Sequence, residues 1–141
     1  MWRYAQLISI TLTASLMVMI GTAVAGPLED ATTARENGDY ATALKLLRPL
    51  ADQGIAGAEF NLGLMYAAGH GVPQDYVSAH MWLNLAAAQF LDQEKENRES
   101  ALKARDLAAS KLTPAQIAQA QKLAHEWKPK SAEWRAPIGA H

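Results

Sequence analysis

Ala58-Glu59-Phe60-Asn61-Leu62-Gly63-Leu64-Met65-Tyr66-Ala67-Ala68-Gly69-His70-Gly71-Val72-Pro73-Gln74-Asp75, running on into Tyr76-Val77-Ser78-Ala79-His80-Met81-Trp82-Leu83-Asn84-Leu85-Ala86-Ala87, is the stretch that decides the fold. Leu62 and Tyr66 are four apart and share a helical face with Ala58. Gly63 lacks a Cβ, so a partner helix can come close there. Ala79, Ala86 and Ala87 do the same on the facing helix, where Trp82 and Leu83 supply bulk. Large side chains set against small ones across two helices give dense packing. Gly69 and Gly71 suit a loop with unusual backbone angles. Pro73 holds an extended exit, and Asp75 can accept the orphan N–H groups of the next helix. Emptying the site of Tyr66 or Trp82 is expected to cost about 3–5 kcal/mol, the range for a buried aromatic.

Upstream, the same pattern recurs. Asp39-Tyr40 aligns with Asp75-Tyr76 at an offset of 36 residues, which sets Ala43 on Ala79, Leu47 on Leu83, Ala51 on Ala87 and Gln53 on Gln89. A period in the thirties with helical internal spacing marks an αα-hairpin repeat, whose apolar face is buried only by a stacked neighbour. The spacing predicts six helices: about 28–36, 39–52, 57–67, 76–90, 93–110 and 114–127. Asn37-Gly38 and Gly54 act as stops, and Pro49 predicts a kink or an irregular last turn in the second helix. Thr113-Pro114-Ala115-Gln116 reads as a capping box with proline at the first helical position. No stretch alternates as a strand would.

The quoted stretch resembles the Sel1-like repeat, a relative of the tetratricopeptide repeat. That family's pattern is roughly A-x-x-x-L-G-x-x-Y-x-x-G-x-G-V-x-x-D followed by x-x-x-A-x-x-W-x-x-x-A-A, and every fixed position is filled here. One full repeat covers Ala56 to Phe90 and a partial one about Ala31 to Gly54. The resemblance implies an all-α fold, a short αα-hairpin superhelix, with the fifth and sixth helices as a C-terminal cap. It also implies a non-catalytic adaptor or scaffold that holds a protein or peptide, since relatives of this kind line an inner groove with the first helix of each repeat. The positions matching that side are Phe60, Leu64, Ala67 and Ala68. With about one and a half repeats the groove is short, so weak binding, or binding reinforced by self-association, is expected.

Outward from the repeats lie two segments of different character. Residues 1–25 begin Met1-Trp2-Arg3, continue uncharged through an apolar centre at Leu16-Met17-Val18-Met19-Ile20, and close on Ala23-Val24-Ala25. These are the parts of a secretory signal peptide cleaved after Ala25. The run is roughly the 20 residues a membrane anchor needs, but Gln6, Ser9, Thr11, Thr13 and Ser15 dilute its first half. A periplasmic or secreted protein is expected, with a repeat domain over 26–127, a flexible tail over 128–141 and no membrane association after cleavage. Cleavage takes the net charge from -1 to -2, because Arg3 is the only charged residue removed. Such a chain is no phosphate-tracking nucleic-acid binder, which needs a clustered positive excess. It has no cysteine, so disulfides, thiolate metal sites and cysteine nucleophiles are excluded.

Chemistry-bearing motifs are sparse. No G-x-S-x-G, S-x-x-K, H-E-x-x-H or phosphate loop occurs, and no cofactor is expected. The alternative function is an envelope hydrolase using His70 and His80 as metal ligands, with Asp75 and Glu59 nearby in sequence. Ten residues across a loop and a helix cap is not a ligand spacing, and Asp75 is already assigned to capping. The carboxylates of 92–99 read as a solvated face, with Glu94–Arg98 and Glu99–Lys103 as i,i+4 pairs. His125, at the end of the sixth helix, suits the helix dipole.

Overall fold

The computed structural model describes residues 26–130. The expected signal peptide (1–25) and the greater part of the expected tail (131–141) lie outside the described residues. Among the described residues six α-helices follow one another: α1 over 26–36, then α2 Tyr40–Asp52, α3 Ala56–Ala68, α4 Tyr76–Gln89, α5 Lys95–Ala109 and α6 Pro114–Glu126. No strand occurs among the described residues. Helix α3 packs between α2 and α4, and α4 also carries α5 and α6. A helix surrounded in this way must be apolar on nearly every side. In α4 the buried set is Ala79, His80, Trp82, Leu83, Leu85, Ala86 and Ala87.

The repeat register holds in three dimensions. Asp39 caps α2 by accepting the Thr42 N–H at 3.1 Å. Asp75 caps α4 by accepting the Val77 and Ser78 N–H groups at 2.9 and 3.2 Å and the Ser78 hydroxyl at 2.6 Å. Ala43 and Ala79, Leu47 and Leu83, and Ala51 and Ala87 are buried pairwise. Between α3 and α4 the small-against-large packing is tightest at Gly63. A Cβ there would sit 2.7 Å from Leu83 Cγ and 3.3 Å from the Leu83 backbone nitrogen. Gly69 ends α3 at φ +70° and Gly71 repeats that angle in the loop, a conformation that strains any residue with a side chain.

Helix α2 runs to Asp52 as expected, with the Pro49 ring exposed and the last turn irregular, the Gln53 N–H shared between the Pro49 and Leu50 carbonyls at 3.2 and 3.1 Å. Some expectations change. The fifth helix starts later than expected, at Lys95, after a separate 3₁₀ turn Asp92–Glu94. Glu94 there turns back to accept the Leu91 N–H at 3.0 Å. Arg98 donates to the Phe90 carbonyl at 2.6 Å and meets Asp92 at 3.2 Å. With both partners engaged, the Glu94–Arg98 pair does not form, and Glu99 meets Lys95 at 4.0 Å instead of Lys103. Tyr66 is only half-buried, its hydroxyl accepting from Arg48 at 3.0 Å. Its removal therefore empties less core than that of Trp82, which is 9% exposed.

At the C-terminal end, the Thr113 capping box forms as expected, with Gln116 and Thr113 exchanging hydrogen bonds at 2.9 and 3.3 Å. Ala120 and Ala124 bury the inner side of α6. Trp127 lies edge-on to Trp82, ring centroids 6.0 Å apart. Beyond it, Pro129 lies beside Gly54 and Lys130 Nζ sits 2.6 Å from Asp52 Oδ2. The first residues of the expected tail thus lie against the end of α2.

Candidate functional site

Three helices, α1 and α3 of the repeats and α5 of the cap, each present one stripe of residues at helical spacing to two cavities. From α3 the stripe is Gly57, Phe60, Asn61, Leu64, Ala67 and Ala68, steps of three and four that keep to one face. Helix α1 contributes Leu28 and Arg35, seven apart on its own face. Helix α5 and its flanks contribute Asn97, Ala104, Leu107, Ala108 and Lys111. The first cavity, about 420 Å³, lies along the N-terminal halves of these helices and is edged by Asn61, Gln89, Glu94 and Asn97. The second, about 430 Å³, lies along their C-terminal halves with Leu64, Ala67, Ala68, Ala104 and Leu107 as its apolar wall. Both fall at the small end of ligand-pocket volumes. Both lie along α3 on the side of α1 and α5, and this side is the groove.

All four expected binding positions lie on that α3 stripe, divided between the two cavities. Leu64, Ala67 and Ala68 line the second. Phe60 lines the first, half-buried against Ala86, Ala87, Phe90 and Ala101, its ring edge-on to Phe90 at 6.4 Å. Sequence reasoning missed the opposite wall. Leu107 stands 66% exposed in the second cavity, the most exposed large apolar side chain described. Arg35 and Lys111 line the same cavity, and neither forms an ion pair or side-chain hydrogen bond among the described residues. Arg35 Nε is buried with no partner. The heptad spacing of 97, 104, 108 and 111 is a signal that would have pointed to this face.

The two histidines of the alternative reading face different neighbours. His70 is exposed in the loop and stacks on Tyr40, rings 4.3 Å apart. His80 is buried on α4, where burial, and then the positive charge of Arg105, hold its imidazole below the usual range, Asp106 opposing. No group of three or more His, Asp or Glu side chains able to hold a metal occurs among the described residues.

One carboxylate is placed unexpectedly. Glu59 is fully buried in the α3–α4 interface, three and four residues from Leu62 and Gly63 on the core face. Its Oε1 accepts from Gln89 Nε2 at 3.3 Å and its Oε2 has no partner. Burial pushes its pKa up to about 7, against the opposing pull of the Gln89 hydrogen bond.

Comparison with known proteins adds one finding. Residues 34–55 and 56–89 match the Sel1 repeat family model. Neither curated proteins nor solved structures give a match to the chain. The second matched segment spans α3, the glycine loop and α4, while the first spans the end of α1 and all of α2. With the shared Asp caps, the paired buried positions and the Gly63–Leu83 contact, the chain carries Sel1-type repeats over 34–89, a shorter match followed by a full one, and α5 and α6 close them.

Proposed function

We propose that this protein is an exported, non-catalytic adaptor or scaffold of the cell envelope that holds a protein or peptide segment in the groove formed by α1, α3 and α5. Sel1 repeats generally mediate protein–protein interaction. The observation that carries the reading for this chain is the alignment of three helical stripes on one pair of cavities, with Leu107 left 66% exposed among small residues. An apolar side chain that exposed, in a cavity floored by alanines, loses free energy to water that a partner's apolar group would recover, at about 25 cal/mol per Å². The segment over 1–25 supports export by its charged start, apolar centre and A-x-A end. Export places the partner outside the cytoplasm, periplasmic or secreted.

Two measurements test this. The purified protein from cells expressing the full chain is expected to begin at Gly26 on N-terminal sequencing; a start at Met1 would contradict cleavage. Affinity capture from an envelope extract is expected to retain a stoichiometric partner with the native chain and lose it with Ala68→Trp, which fills the groove from an exposed helix end. Equal retention by both would place the partner elsewhere.

A further inference from the structure

The reading of the groove as a binding site leaves its occupant open, and the charges in it narrow the choice. Around the second cavity stand Arg35 from the end of α1 and Lys111 from just beyond α5, with His70 at the loop. No Asp or Glu lines it. The chain as a whole carries a net charge of -1, so two cations without a facing carboxylate are a local departure from its overall balance. Arg35 Nε is already cut off from solvent with nothing to donate to. A wholly apolar ligand laid over Leu64, Ala67 and Leu107 would cover more of that guanidinium and leave its charge uncompensated, which is costly. A basic segment would add repulsion. An acidic one offers acceptors to the other nitrogens of the guanidinium and compensates its charge, and guanidinium and carboxylate match as a two-pronged pair.

We propose that the groove binds a protein segment in which an apolar side chain is bracketed by carboxylates, the apolar group seated against Leu64, Ala68 and Leu107 and the carboxylates meeting Arg35 and Lys111. This rests on the groove reading above. The attraction is short-ranged, because the net charge of the chain repels an acidic segment at distance and physiological salt screens beyond roughly 8 Å. Electrostatics here selects the segment more than it steers it.

The test uses a synthetic array of nine-residue peptides with one central Leu or Phe and Asp or Glu at every flanking spacing, beside the same array with Asn and Gln. It is probed with protein purified from cells expressing the full chain, and the best pair is then titrated by fluorescence anisotropy. The acidic peptide is expected to bind about five- to tenfold tighter than its amide twin, as two partly exposed ion pairs allow. Arg35→Gln with Lys111→Gln removes that difference, and 0.5 M salt shrinks it. Leu107→Ser weakens both peptides. Circular dichroism of each variant, all at residues outside the buried core, confirms that the helices persist. If acid and amide peptides bind alike and Leu107→Ser weakens both, the carboxylate claim falls and the groove reading stands. If no peptide binds, or binding ignores Leu107→Ser, both fall. A dimer in sedimentation that Leu107→Ser dissolves would make a second copy the occupant and overturn the proposal.

Discussion

Gly63→Ala and Gly57→Ala make the same chemical change on the same helix, yet the packing gives them different outcomes. Both gain helix propensity of up to about 1 kcal/mol, since alanine loses less backbone freedom on folding than glycine. At Gly63 the new methyl would lie 2.7 Å from Leu83 Cγ, 3.0 Å from Leu83 Cδ2 and 3.3 Å from the Leu83 nitrogen. Leu83 is fully buried, so it has nowhere to turn, and its backbone belongs to α4. Relief requires α3 and α4 to separate, an overpacking cost of about 3 kcal/mol. The net loss is about 2 kcal/mol, a fall in melting temperature of roughly 8 °C or more for a domain of this size. At Gly57 the methyl would meet Leu28 Cδ2 at 2.8 Å, with the other Leu28 carbons at 3.7 Å or beyond and no backbone nearby. Leu28 is only half-buried and can rotate aside, so Gly57→Ala is expected to stay within about 0.5 kcal/mol of the native chain. Urea unfolding followed by circular dichroism measures both. A double cycle sharpens it: Leu83→Ala is expected to relieve most of the Gly63→Ala penalty, because the two occupy one space. A Gly63→Ala variant as stable as the native chain, or equal losses at both glycines, would refute the close approach of α3 and α4.

Other consequences follow from single contacts. For Glu59, a folded-state pKa of about 7 above an ordinary value of 4.5 means the native state holds a proton that the unfolded chain releases between those pH values. Stability then falls as pH rises from about 4.5 to 7, by up to about 3 kcal/mol, and levels off above. Glu59→Gln, neutral and of the same shape, is expected to flatten that slope and to melt higher than the native chain at pH 8; an unchanged pH profile would show Glu59 ionised without penalty. Asp75→Ala removes three capping bonds and is expected to cost about 1–2 kcal/mol in urea unfolding, more than Asp39→Ala, which removes one at an exposed site. Trp82→Ala is expected to cost about 3–5 kcal/mol and to expose Trp127, whose ring packs edge-on to it; a smaller loss for Trp82→Ala than for Tyr66→Ala would contradict the burial of the two.

Much of the fold was legible because the repeat writes it locally. Asp39 and Asp75 announce helix starts within three residues, Gly69 and Gly71 announce the loop, and the matching of Ala43 with Ala79 and Leu47 with Leu83 announces the stack. The α3 wall of the groove, Phe60 to Ala68, was legible for the same reason. The opposite wall left a weaker trace, the spacing of 97, 104, 108 and 111, because Arg35, Leu107 and Lys111 meet only through tertiary folding and α5 follows no Sel1 pattern. The ion pairs failed where competition decided them: Glu94 caps the Leu91 N–H and Arg98 takes the Phe90 carbonyl, choices that helical spacing alone does not rank. Glu59 reads as a surface residue by type, yet its spacing from Leu62 and Gly63 places it on the core face, and position outweighed chemistry.

The central claim is that a partner lies against α3 and α5 on the groove side, and a crosslinker reports this directly in living cells. A photoreactive phenylalanine analogue placed at Leu107, exposed within the groove, is expected to trap the partner on illumination, whereas the same group at Leu123, exposed on α6, traps none. Adducts at residue 123 with none at residue 107 would contradict the account.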